Sequence, residues 1–128
     1  MANGFHGSPE RWQRICEPLT SLDSRLELFG SHNGLVLQKN MKNWPGREFR
    51  WSDDLERLIQ IFLQNEKQLT WTLWICAYED REGQRYWRTQ TLQKAVSIEQ
   101  LQASLEIDLE DGWRQVMSWK PEDLCPAR

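Results

Sequence analysis

The side chains here that commonly carry catalytic chemistry are few and scattered. There are two histidines, His6 and His32. A metal centre needs nitrogen, sulfur or carboxylate ligands gathered at helix or hairpin spacing. Neither histidine has such neighbours, and His32, beside Asn33 and Gly34, reads as a turn residue. Three cysteines, Cys16, Cys76 and Cys125, are odd in number, far apart and outside any CxxC pair. That pattern fits reduced thiols in a cytoplasmic protein better than a disulfide framework. A cysteine nucleophile needs exposure and a base beside it; the apolar stretch around Cys76 promises neither. No GxSxG, P-loop or GxGxxG occurs. Asp53, Asp54 and Glu56 cluster, but they follow Ser52 at an expected helix start, where capping accounts for them. The expectation is a protein that is not an enzyme and uses no metal or cofactor.

Binding chemistry has better candidates. "TWTLWICAYEDREGQRYWR" (70–88) crowds aromatic rings on both sides of a turn signal. Two alternating strands meet there, and the turn decides which rings share a face. A three-residue turn with Gly83 in a bulge sets Asp80 opposite Gln84. Trp71, Leu73, Ile75 and Ala77 then line one face with Trp87, Thr89 and Thr91. Trp74, Cys76 and Tyr78 line the other with Tyr86, Arg88 and Gln90. A two-residue turn at Glu82 and Gly83 would instead set Trp87 and Thr89 beside Tyr78 and Cys76. One residue of slip exchanges the whole set. The bulge is favoured because glutamate is awkward at positive φ. Trp74, Tyr78, Tyr86 and Arg88 are thereby the expected contact residues for a protein partner or a second copy.

A second candidate is "KNMKNWPGREFRW" (39–51). Trp44, Phe49 and Trp51 could stack on bases while Lys42, Arg47 and Arg50 contact phosphate. Single-stranded nucleic-acid binding through 42–51 is the alternative reading, against which stands a net charge of -3. A further alternative is a small-molecule enzyme or carrier with a Trp-lined pocket between sheet and helices.

The elements that must hold these residues follow from periodicity. The 128 residues suit one domain, with 1–7 and 121–128 expected to be flexible. No apolar run approaches the roughly 20 residues needed to span a bilayer, and the N-terminus lacks a secretory h-region. "SPERWQRICEPL" predicts a helix begun by Ser8 and Pro9. "SRLELFGSHNGLVLQKN" (24–40) alternates about a turn signal and predicts a hairpin; "REFRW" (47–51) adds a strand. "SDDLERLIQIFLQNEKQ" (52–68) has the apolar stripe of a helix. After the aromatic hairpin, 95–119 predicts a helix with a capping box at Ser97 and Gln100. It is one helix, or two separated at Asp108 to Gly112, since glycine weakens a helix interior. The result is an α+β two-layer sandwich, an antiparallel sheet of about five strands with helices on one face, in the order α-β-β-β-α-β-β-α.

That expected order is similar to that of the dimeric class I chaperones of type III secretion. The resemblance implies an open sheet able to pair with another chain.

Overall fold

A computed structural model describes residues 9–39 and 45–127. Two helices open the chain, α1 (Pro9–Thr20) and α2 (Asp23–Asn33). Four long strands follow: β1 (Gly46–Ser52), β2 (Glu56–Asn65), β3 (Thr70–Arg81) and β4 (Gln84–Val96). Then come α3 (Ile98–Ser118), a 3₁₀ turn (Pro121–Asp123) and the two-residue strand β5 (Cys125–Pro126). The strands lie in sequential order, every neighbour antiparallel. All three helices contribute to a single core against one face of the sheet. The expected class, a two-layer α+β sandwich with a five-stranded antiparallel sheet, is the observed one.

The order of elements differs: 24–33 is helix, 35–39 forms no strand beyond a single Gln38–Glu48 bridge, 56–65 is strand, and β5 is added. The two exchanges of helix and strand have a local cause. Residues 24–33 form helix, not the first strand of a hairpin. Leu22, Leu26 and Phe29, all buried, recur at helical spacing, a pattern that Leu26 and Leu28 hide by also alternating. Gly34 is left-handed at φ 69°, and its N–H reaches the Gly30 carbonyl. The supposed turn signal is therefore a helix stop. Gly30 is needed there too, since a Cβ would lie 2.6 Å from the Leu35 carbonyl oxygen.

Residues 56–65 are strand, not helix. Ile59, Ile61 and Leu63 face the helices, while Leu58, Gln60 and Phe62 face the other way. β2 lies between β1 and β3, and both its faces carry apolar residues. A run that is apolar on both sides mimics a helical stripe, and its β-branched and aromatic content favours the strand. Asp53 caps no helix; it accepts from the Leu55 N–H at 3.1 Å in the β1–β2 connection. With these two changes the order no longer matches that of the type III chaperones.

α3 has the expected capping box and runs as two helical segments across a kink. Its irregular residue is Ser104 (φ -131°, ψ 19°), not Gly112. Gly112 lies against the sheet: a Cβ would sit 2.6 Å from Leu92 Cδ1 and 3.1 Å from Ile75 Cγ2. The missing side chain sets how closely α3 approaches. Arg57, buried on β2, donates to the Val116 and Trp119 carbonyls at 2.5 and 2.8 Å and so closes the C-terminal end of α3. Asp53 and Asp54 hold it from the other side at 2.8 and 3.0 Å. Residues 121–127, expected to be flexible, form the 3₁₀ turn and β5; residues 1–7 fall outside the described residues.

Candidate functional site

The β3–β4 turn sets the site. Arg81 pairs with Gln84, and Glu82 and Gly83 have φ of 52° and 82°. This is a two-residue turn with both residues left-handed, the geometry that matches the twist of long strands. The bulge expected at Gly83 is not made. Trp87 consequently stands opposite Tyr78 and Thr89 opposite Cys76. Tyr86 and Arg88 move to the helix side. Irregularities do occur in this pair, but farther along, where Thr91, Gln93 and Val96 oppose Trp74, Leu73 and Trp71.

The face away from the helices therefore carries Glu48, Arg50 and Ser52 of β1, then Glu56, Leu58, Gln60 and Phe62 of β2. Next to these lie Trp74, Cys76, Tyr78 and Asp80 of β3, with Arg85, Trp87, Thr89 and Thr91 of β4. Phe62 meets Trp74 edge-on at 5.6 Å, and Trp74 meets Trp87 at 6.3 Å. Such perpendicular pairs suit the ring quadrupoles. The Trp74 indole N–H donates to Gln60 Oε1 at 2.6 Å, and Gln60 Nε2 donates to Glu48 Oε1 at 2.6 Å. A chain of polar bonds thus fixes the central ring across three strands.

Charge surrounds the rings at one end. The Arg85 guanidinium lies 4.0 Å from the centre of the Tyr78 ring and pairs with Asp80 at 2.9 Å. Arg50 donates to the Tyr78 hydroxyl at 3.0 Å and to Glu56 at 3.2 Å. Burial alone would lower the Arg50 pKa, but Tyr78, Glu48 and Glu56 outweigh it and raise it. The Arg85 bond holds the Asp80 carboxyl below its usual range. Cys76, 3% exposed, is covered by its neighbours, and burial pushes its thiol up to about 11 despite Arg85 and Arg50. At neutral pH it stays protonated and a poor nucleophile. The face can therefore offer half-buried aromatic surface and mixed charge.

Of the expected contact residues, the structure brings Trp74 and Tyr78 together here and places the other two elsewhere. Tyr86 lies under Arg81, its ring centre 4.5 Å from the guanidinium. Arg88 lies over Trp119 at 4.7 Å. Arg81 also donates to the Pro121 carbonyl at 2.7 Å, so the C-terminal segment packs on the helix side. Phe62, Arg85 and Trp87 are the site residues that the sequence reading missed. The adjacent Glu82 and Gly83, read as a two-residue turn, are the signal that places Arg85 and Trp87.

The basic segment separates in the same way. Lys42 and Trp44 lie outside the described residues. Arg47 is 5% exposed, paired with Asp23 at 2.7 Å and donating to the Lys39 and Gly46 carbonyls. Phe49, 1% exposed, packs edge-on to Phe29 at 5.3 Å. Phe49 is thus an interior residue that cannot reach bases, Arg47 is engaged by Asp23 and two carbonyls, and Arg50 belongs to the outer face. The space between sheet and helices, where a Trp-lined pocket was an alternative, is packed around a fully buried Trp71. Open clefts among the described residues lie elsewhere. One of about 610 Å³ is lined by Cys16, Glu17, Asp23, Lys39 and Arg47 among others. One of about 380 Å³ lies between α2 and α3, beside His32, Glu110 and Trp113.

Among the described residues no three His, Cys, Asp or Glu side chains gather as metal ligands. No described helix is long and apolar enough to cross a membrane. Compared with protein-family models, curated proteins and solved structures, the chain finds no match in any of the three.

Proposed function

We propose that this chain is a non-catalytic cytoplasmic binding protein that engages a protein partner or a second copy through the outer face of its sheet. One observation carries the reading. Phe62, Trp74 and Trp87 form a contiguous ring row beside Tyr78, on a face that no described helix covers. Aromatic and arginine side chains gathered on an open surface are the composition of interface centres. The neighbouring Arg50, Arg85, Glu56 and Asp80 supply charges of both signs for orientation. Three free thiols suit a reducing compartment.

The test is solution mass by light scattering, with pull-down from the native host, on the wild type and on the Trp74→Ser/Tyr78→Ser variant. The expected result is loss of the assembly or of the captured partner with an unchanged circular dichroism spectrum. Unchanged association in the variant would remove the reading, and so would its global unfolding, which would make this face a core.

A further inference from the structure

We propose that the free edge of β4 takes up one extended, acidic segment of a partner protein as an added strand. This inference rests on the backbone and charge of β4 and does not depend on the aromatic face. β4 is the last long strand of the sheet, and β5 covers only its beginning. Tyr86 pairs with Pro126 and Trp87 with Cys125, and the Ala127 N–H donates to the Arg85 carbonyl at 2.8 Å. Main-chain groups alternate in direction along an antiparallel strand. Those of Thr89 and Thr91 therefore point to the same edge as those of Arg85 and Trp87. No described residue pairs with them. An edge of this kind is a template for strand addition, and β5 already occupies it in the antiparallel sense.

The charge of the strand selects the occupant. β4 contains Arg85, Arg88 and Lys94 and no acid. Arg85 is neutralised by Asp80. Arg88, which lies over the Trp119 ring, and Lys94 make no ion pair among the described residues, and they bracket the open stretch. Thr89, Gln90 and Thr91 between them are exposed and uncharged, and beyond them Leu92 and Gln93 are half-buried, Gln93 donating inward to Asp108 at 3.0 Å. Pairing β4 with β4 of a second copy would set bases along both sides of the seam, which is unfavourable. A segment bearing acids at its two ends meets both bases. The same side chains thus reject a copy and admit an acidic strand. The irregular pairing beyond Thr91 confines regular pairing to the start of the stretch, so the segment pairs at Thr89 and Thr91 and only its unpaired end reaches Lys94.

The probe is a fluorescent peptide of alternating threonine and valine with a glutamate at each end, read by polarisation on the full chain. Its counterpart with terminal lysines should bind at least about tenfold more weakly. Arg88→Glu/Lys94→Glu should invert that preference. The Thr89 N–H faces the edge, so Thr89→Pro removes an added-strand bond without removing one to β3, and it should abolish binding. Amide exchange at Thr89 and Thr91 should slow in the complex. If Thr89→Pro fails to fold, a peptide N-methylated at alternate amides does the same work and must not bind. Equal binding of the acidic and basic peptides, or none at about millimolar concentration, overturns the proposal. Loss of binding in Trp74→Ser but not Thr89→Pro would place the peptide on the aromatic face and overturn it. A dimer dissolved by Thr89→Pro would make the occupant a second copy, with the same consequence.

Discussion

Trp71 and Trp74 lie three residues apart on β3 and point to opposite faces of the sheet. Trp71 is wholly buried in the core, and its indole N–H has no partner among the described residues. Trp74 is half-buried, its N–H fixed by Gln60 and its ring held edge-on between two others. The same residue type is a filler of volume on one face and an oriented surface on the other. A buried indole without a hydrogen bond costs stability that only packing offsets. An indole tied to a polar neighbour keeps its orientation while part of the ring stays open to solvent. That contrast separates a face that serves stability from the face proposed above for binding.

The largest expected effect is Trp71→Ala, which should cost about 3–5 kcal/mol of unfolding free energy in urea titration. Trp74→Ala should cost about 1–2 kcal/mol, from partial area loss and the stranded Gln60 amide. Equal losses at the two positions would erase the distinction between the faces. Gly112→Ala tests the crowded side alone. Its Cβ would meet Leu92 Cδ1, the movable end of a half-buried side chain, and the buried Ile75 Cγ2. Repacking at Ile75 should offset the helix gain of about 1 kcal/mol and leave stability nearly unchanged, with little change in the outer rings.

Part of the acid limb of stability belongs to the helix side. Burial raises the Asp53 pKa, but the Leu55 N–H and Arg57 outweigh it, and the net value is lowered from 3.8. A depressed carboxyl contributes stability fully above its unfolded pKa and loses it as pH falls through the folded one. Stability should therefore drop below about pH 4, and Asp53→Asn should flatten that slope in pH-dependent denaturation. A small gain is expected at the turn. Glu82→Asn relieves a left-handed glutamate and should add about 0.5–1 kcal/mol. A loss there would mean that the turn relaxes to another register.

The class of fold was legible because layers follow from alternation and from capped apolar stripes. α1, β1, the aromatic hairpin and α3 each carry a local signal that tertiary contacts reinforce. The two exchanged elements failed for opposite reasons. In 24–40 alternation and helical spacing share the same leucines, and Gly34 serves a helix stop as well as it would a turn. In 52–68 a central strand has lost its alternation because the outer face is itself apolar at Leu58 and Phe62. The candidate face was legible at Trp74 and Tyr78, whose parity on β3 does not depend on the turn. On β4 it hung on the small energy that separates two turn types, and there Tyr86 and Arg88 exchanged places with Arg85 and Trp87.

The strictly sequential strand order also bears on how the chain acquires its shape. β1 to β4 form a meander in which each strand pairs with its neighbour in the chain, across connections of three residues at 53–55, four at 66–69 and two at 82–83. Such pairings need only short loop closures, which lowers contact order and speeds folding. The long-distance closures fall to α1, α2 and α3, which must find the same face from opposite ends of the chain. The meander is thus the natural early unit, and until the helices arrive both of its apolar faces are open to water and to other chains.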